Sequence, residues 1–248
     1  MAADPAGTSF ADLHVHSSAS FDCLSRPADL VRAAVARGLT HLAITDHERL
    51  DGALRARDLA PPELRVIVGE EVRTAGGDLI GLYLERPVPA GLSVADAVAA
   101  IKEQGGLVGL PHPFDRFRSS GGSRIGPDEE ALAGLAGRVD FVEAHNGRAI
   151  GGGNVRAAAF AQRHALPGVA ASDAHTVQEL GLAYTILPGD PHSAAEMRDA
   201  LPGARLVLGR ASFYVRGWTP LAKLVQRVRG NGRVAAVALG SGRERAPS

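Results

Sequence analysis

Short apolar runs, each followed by an amphipathic, alanine-rich stretch, recur along the 248 residues. That alternation is the pattern of strand-then-helix units feeding one sheet. Phe10 to His16 predicts the first strand, and Pro27 to Arg37 a helix entered at Ser25 and closed by Gly38. His41 to Thr45 is the next strand; Leu64 to Val68 and Leu79 to Leu84 flank Ala75-Gly76-Gly77-Asp78 and predict a hairpin. Ser93 to Gln104 reads as a helix with a capping-box-like Ser93 and Asp96, stopped at Gly105-Gly106. A strand over Leu107 to Leu110 and a helix over Pro127 to Leu135 follow. The second half predicts strands Val139 to Ala144, Val169 to Ala171, Ala183 to Leu187 and Arg205 to Leu208, with helices at Asn154 to His164, from Ser193, and at Leu221 to Arg229.

Seven or eight strands interleaved with helices favour a single barrel or barrel-like sheet over two domains. Residues 1–230 are therefore expected to form one domain and 231–248 a flexible tail, in which Val234 to Leu239 could add a short strand. Composition narrows the setting. A hydrophobic content of 45% without a bilayer-length apolar run reads as soluble, and the first ten residues lack the basic and apolar regions of a secretory leader. The lone cysteine, Cys23, excludes an intramolecular disulfide and fits a cytoplasmic protein. A formal net charge of zero argues against membrane or broad nucleic-acid partners, except for a short nucleotide as substrate, while oligomeric state is silent.

The polar residues change the picture. On a strand, His14 and His16 share a face. Of nine histidines, six fall at the ends of predicted strands: His14, His16, His47, His112, His145 and His175. In a barrel of parallel strands those ends meet at one face, which is where such folds build their sites. Asp46, Glu70, Glu71 and Asp173 join them. Imidazoles mixed with carboxylates and no thiolate quartet suit Mn, Fe or Zn in a multinuclear, water-accessible site. Arg116, Arg118 and Arg148 follow strand ends that carry these residues, so each could fork onto phosphate oxygens or stand as a solvated loop arginine. Cys23 reads as a small filler, and His41, His164 and His192 lie away from the strand ends.

Asp12-Leu13-His14-Val15-His16, Ile44-Thr45-Asp46-His47, Gly69-Glu70-Glu71-Val72, Pro111-His112-Pro113-Phe114-Asp115 and Ser172-Asp173-Ala174-His175, in that order, resemble the motifs of the polymerase and histidinol phosphatase (PHP) family over roughly residues 9–190. The resemblance implies an α/β fold, a distorted (β/α)7 barrel with a metal cluster at the C-terminal ends of its strands. It implies three divalent ions, Mn, Fe or Zn. His14, His16 and Asp173 would hold one, Glu71 would bridge to a second completed by His112 and His145, and Asp22, His47 and His175 would hold a third. Glu71 is preferred to Glu70 because Val72 follows it as the pattern requires, and Asp46 is expected to orient a histidine from behind. Asp78 stands where many members have a histidine.

Glu71, Asp173 and His175 are thus the expected catalytic residues, with Arg148, Arg116 and Arg118 toward substrate. The implied reaction is hydrolysis of a small phosphomonoester (a nucleotide, nucleoside bisphosphate, sugar phosphate or histidinol phosphate) by a hydroxide shared between ions. A phosphodiesterase or exonuclease on nucleotide ends, and a non-catalytic metal-stabilised module, are the competing readings. A metal-dependent amidohydrolase shares the His-x-His start, but Lys102 and Lys223, both on predicted helices, are poor bridging lysines.

Overall fold

The computed structural model describes residues 7–115 and 129–236. In chain order the elements are β1 (Thr8–Val15), α1 (Pro27–Ala36), β2 (His41–Ile44), α2 (Asp51–Leu59), β3 (Arg65–Thr74), β4 (Gly77–Leu82), α3 (Val94–Lys102), β5 (Leu107–Leu110), α4 (Glu129–Ala133), β6 (Phe141–Asn146), α5 (Gly153–Arg163), β7 (Gly168–Ala171), β8 (Tyr184–Pro188), α6 (Ala194–Ala200), β9 (Arg205–Val207), α7 (Phe213–Arg216) and α8 (Trp218–Val228). Among the described residues nine strands form one sheet in the order β7-β6-β5-β4-β3-β2-β1-β8-β9. β1, β2 and β3 pair in parallel, as do β5, β6 and β7, and the antiparallel β4 joins the two sets.

The sheet curls until its β7 edge reaches β1. His16 N donates to Ala174 O at 2.9 Å and Asp173 N to His14 O at 2.9 Å, so the segment leaving β7 lies against β1 and nearly closes a barrel. Inside it, Ala11, Leu13, Ala43, Ile67, Ile80, Leu107, Phe141 and Val169 form an apolar floor. A Cβ on Gly109 would collide with the Phe141 ring, so glycine is what lets that ring lie across the floor. Outside, the opposite faces of the same strands (Leu42, Ile44, Val66, Val68, Val142) pack under the helices. A large side chain truncated in either core costs about 2–5 kcal/mol.

Two β-bulges decide what faces the barrel mouth. On β1, Asp12 pairs with Leu42 and Val15 with Ile44, so one extra residue is inserted and the inward set changes from Ala11 and Leu13 to His14 and His16. On β6, Glu143 pairs with Val169 but His145 with Ala170 and Asn146 with Ala171, leaving Ala144 as the extra residue. Glu143 and Asn146 therefore face inward, and His145 turns out toward α5.

The predicted elements are recovered with shifts. β3 is twice as long as the arm read at Leu64 to Val68, because its first half pairs with β2 and its second with β4. The helix α2 was not expected: its buried face is Gly52, Ala53 and Ala56, too small to print a hydrophobic stripe. α1 is entered at Arg26 rather than Ser25, with Pro27 in its first turn, whereas Ser93 and Ser193 cap α3 and α6 as expected. Of the tail, Asn231 donates to the carbonyls of Ser18 and Ala19, and Val234 O accepts from Arg73; residues 231–236 form no strand. Among the described residues no helix is long and apolar enough to cross a membrane.

Candidate metal centre

The strand ends bring eight of the nine expected ligands together. Three overlapping groups have ligand atoms within 4.8 Å of one another: His14, His16 and Asp173; His14, Glu71 and His112; and His16, Asp22, His47 and His175. Every one of these residues except His112 is buried, none more than 9% exposed. Glu71 sits at the centre. Its Oε2 lies 3.3 Å from both His14 Nε2 and His16 Nε2 and 3.4 Å from His47 Nδ1, while Oε1 lies 3.2 Å from His112 Nε2. Asp173 Oδ1 is 3.4 Å from His16 Nε2, and Asp22 Oδ2 is 3.4 Å from His47 Nε2 and 3.3 Å from His175 Nε2.

These spacings fit metal ions. Atoms held about 2.1 Å from a common ion stand about 3.0–3.4 Å apart in octahedral or tetrahedral arrangements. His14 Nε2 and His16 Nε2 face each other at 3.1 Å, and His16 Nδ1 and His47 Nδ1 are buried without a hydrogen-bond partner. Without a cation, such a set of inward imidazoles and carboxylates leaves charge to be balanced by protons. Burial disfavours a charged ring at His14, yet the carboxylates of Glu143 and Glu71 push it up to about 10. Burial likewise opposes ionisation of Glu71 and Asp22, and their histidine neighbours, His47 and His14 for the one and His47 and His175 for the other, still hold both well below the usual carboxylate range.

Supporting groups fix the rings. His14 Nδ1 donates to Glu143 Oε1 at 2.6 Å, and the other oxygen of Glu143 accepts from His112 N and Asn146 Nδ2. Asn146 Nδ2 also reaches Asp173 Oδ2 at 3.0 Å. A carboxylate is acceptor-only, so Glu143 sets the His14 tautomer and aims its Nε2 into the cluster. His175 Nδ1 donates to Asp173 O at 2.9 Å, which turns its Nε2 toward Asp22. Two of the candidate ligands have left-handed backbone, His112 at φ 29° and Asp173 at φ 54°, conformations that persist only where the surroundings enforce them. Gln226 of α8, 2% exposed, donates through Nε2 to the carbonyls of Ser18 (2.8 Å), Ser20 (3.0 Å) and Cys23 (2.7 Å), and so pins the loop that carries Asp22.

Several expected residues lie elsewhere. His145 is not in the cluster: its Nε2 donates to Gly209 O at 2.7 Å and its Nδ1 lies 3.2 Å from Asn154 Nδ2, because the β6 bulge turns it outward. Arg148 is buried, with Nε 3.2 Å from Glu179 Oε1 and Nη2 donating to Thr219 Oγ1. Glu179 in turn accepts from His175 N, so Arg148 braces the His175 loop. Arg116 and Arg118 lie outside the described residues. Asp46 accepts from Ser17 N and Oγ and orients no histidine; Asp78 is at the hairpin tip, and Ile80 is the residue opposite Glu71. Glu70 faces away, its Oε2 accepting from Val88 N. The Cys23 thiol is buried, contacts His16 O and His175 O, and is pushed up by burial. Glu143, Asn146 and Gln226 were not singled out from sequence; only inward alternation from Phe141 could have marked Glu143.

The PHP domain model matches residues 12–111, which hold all the clustered candidate ligands except Asp173, His175 and, just beyond its end, His112. A PHP-associated model matches residues 151–205. Two uncharacterized proteins of Methanocaldococcus jannaschii are similar: one 34% identical over 126 residues (46% of this chain, 74% of that protein), the other 35% identical over 176 residues (70% and 68%). The chain belongs to the PHP family. PHP proteins are metal-dependent hydrolases, and this chain supplies the buried histidine and carboxylate groups that could bind the metal. A 5'-3' exoribonuclease of Haemophilus influenzae is 30% identical over 118 residues, 42% of each chain. Among solved structures, a two-domain protein from Bacteroides vulgatus containing a predicted PHP-like metal-dependent phosphoesterase superimposes with a TM-score of 0.68 at 20% identity, over 82% of this chain and 65% of that one. The lesion-specific endonuclease Q of Pyrococcus furiosus gives 0.60 at 16% identity, over 81% and 58%. These likenesses carry the fold, the distorted (β/α)7 barrel of PHP proteins.

Proposed function

We propose that this PHP protein is a phosphoesterase that hydrolyses small phosphomonoesters with three divalent ions of the Mn, Fe or Zn type. The observation that carries the reading is the position of Glu71, one carboxylate within 3.4 Å of four imidazoles from three strand ends. If each imidazole nitrogen serves one ion, His14, His16 and Asp173 hold the first, Asp22, His47 and His175 the third, and Glu71 with His112 the second. Ions so placed supply Lewis-acid charge for phosphoryl oxygens and lower the pKa of water. The chain's own part is positional: Glu143 fixes His14, Asp173 O fixes His175, and Gln226 holds the Asp22 loop.

The rim supports an anionic substrate. The Phe21 ring lies 5.0 Å from the His47 ring, with Arg233 and Lys223 cations 4.8 and 5.4 Å from its centroid. Ligands this deeply buried suit a terminal phosphoryl group, which projects from its carrier, better than one flanked by chain on both sides. The test compares p-nitrophenyl phosphate with bis-p-nitrophenyl phosphate on manganese-loaded protein. Faster monoester turnover is expected. The similarity to the exoribonuclease and to endonuclease Q favours a second reading, cleavage of nucleic-acid ends, and diester preference together with shortening of 5'-labelled RNA would establish it instead.

A further inference from the structure

The last helix turns its apolar face away from the molecule. α7 and α8 run on almost as one helix, because Gly217 between them keeps helical dihedrals of φ −62° and ψ −18°. α8 rests on the body through Ala222 and Gln226, which are buried. The large apolar side chains lie outside: Tyr214 (88% exposed), Trp218 (55%), Leu221, Leu224 and Val228 (82%). Tyr214, Trp218, Leu221, Val225 and Val228 follow one another at intervals of four, three, four and three residues, the repeat of a helix seam that packs on another helix. A polar amide is thus buried while Trp, Leu and Val face water, the reverse of what a helix serving only its own chain's core shows.

The stripe is complementary to itself. Its flanking positions are Gly217, Ala222 and Leu224, with Arg229 at the end, so no ion pair there selects a partner of different charge; Lys223 and Arg227 lie on the far side of the helix. It tapers from a bulky end, Tyr214 and Trp218, to a small one, Val225 and Val228, and an antiparallel mate of the same kind sets bulky against small along its length. The exposed apolar side chains offer on the order of 600 Å². Two copies together bury about 1,200 Å², the size at which specific interfaces begin. The residues outside the described ones supply no matching segment: the large apolar side chains of 116–128 are Phe117 and Ile125, and those of 237–248 are Val237 and Leu239. We propose that α7 and α8 pair with the same elements of a second copy in an antiparallel two-fold arrangement centred near Leu221. Because α8 sends Gln226 to the carbonyls of Ser18, Ser20 and Cys23, pairing also holds down the loop that carries Asp22.

Sedimentation velocity of the full chain tests the pairing by mass, independently of any activity. The parent should sediment as a dimer of the 25.7 kDa chain. Leu221→Glu and Val228→Glu each put a carboxylate into the seam and should raise the dimer dissociation constant at least about tenfold. Val228 is too exposed for its change to unfold the chain, and melting curves check Leu221→Glu. Arg227→Glu, on the far side, should leave the dimer intact. A parent that stays monomeric at about 100 μM overturns the proposal, as does a dimer that both seam variants leave unchanged or that Arg227→Glu weakens equally. A monomeric parent that co-sediments with phosphatidylglycerol vesicles, and loses this in both seam variants, gives the face to an anionic membrane instead.

Discussion

At the scale of single residues, the centre depends on groups outside the expected ligand set that hold those residues in place. Glu143 spends both oxygens on the site, one on His14 Nδ1 and the other on His112 N and Asn146 Nδ2. Burial raises its carboxyl, but the charge and hydrogen bond of His14 outweigh that and bring it down to about 2. Glu143→Ala should weaken metal binding about 10–100-fold, with Glu143→Gln between it and the parent. Competition with a fluorescent chelator measures this, and unaltered affinity would separate Glu143 from the site. Glu70 illustrates the opposite environment. Burial pushes its carboxyl up to about 8, against the hydrogen bond from Val88 N. In the unfolded chain a glutamate ionises near 4.3. Between those two values the folded state holds a proton that the unfolded state lacks, so this group's stabilisation is full at low pH and is lost as pH rises through about 8. Glu70→Gln, which mimics the neutral acid, should be nearly neutral at low pH and stabilise by about 2–4 kcal/mol above pH 8. Urea unfolding across that range would show it, and an unchanged pH profile would refute it.

At the scale of elements, bulges and a C-terminal helix shape the site. Gln226 replaces three separate solvent partners of the Ser18, Ser20 and Cys23 carbonyls with one buried amide. Gln226→Leu should cost about 2–3 kcal/mol of stability and loosen the ion held by Asp22, His47 and His175 ahead of the others. Metal content after dialysis measures the second effect, and a stability loss with full metal retention would reduce Gln226 to a packing role. The same elements show what could be read without coordinates. The strand ends were legible because His14, His47, Glu71, His112 and His175 each close an apolar run, and the motif order identified the barrel. His145 was misplaced because period-2 alternation assumes an unbroken ladder, and nothing in Phe141-Val142-Glu143-Ala144-His145-Asn146 announces the extra residue at Ala144. α2 was hidden by its glycine and alanine face, and Gln226 by a sequence separation of about 200 residues from the loop it holds.

At the scale of the whole molecule, the candidate ligands come from the ends of β1, β2, β3, β5 and β7, so ions bound there would tie together the rim of a barrel that is otherwise closed by a few hydrogen bonds. Ligands that bind only the folded state stabilise it by mass action. Chelation should therefore lower the melting temperature by several degrees, restored by manganese in a concentration-dependent way. With His145 turned outward, an ion held by Glu71 and His112 would have the fewest protein ligands among the described residues and should be the first released. The most direct measurement of the central claim is inorganic phosphate release by manganese-loaded protein of known metal content, across sugar phosphates, nucleotides, nucleoside bisphosphates and histidinol phosphate, with a chelated control. The account predicts release that chelator abolishes and manganese restores. Protein that holds its full complement of ions and frees no phosphate from any of these would contradict it.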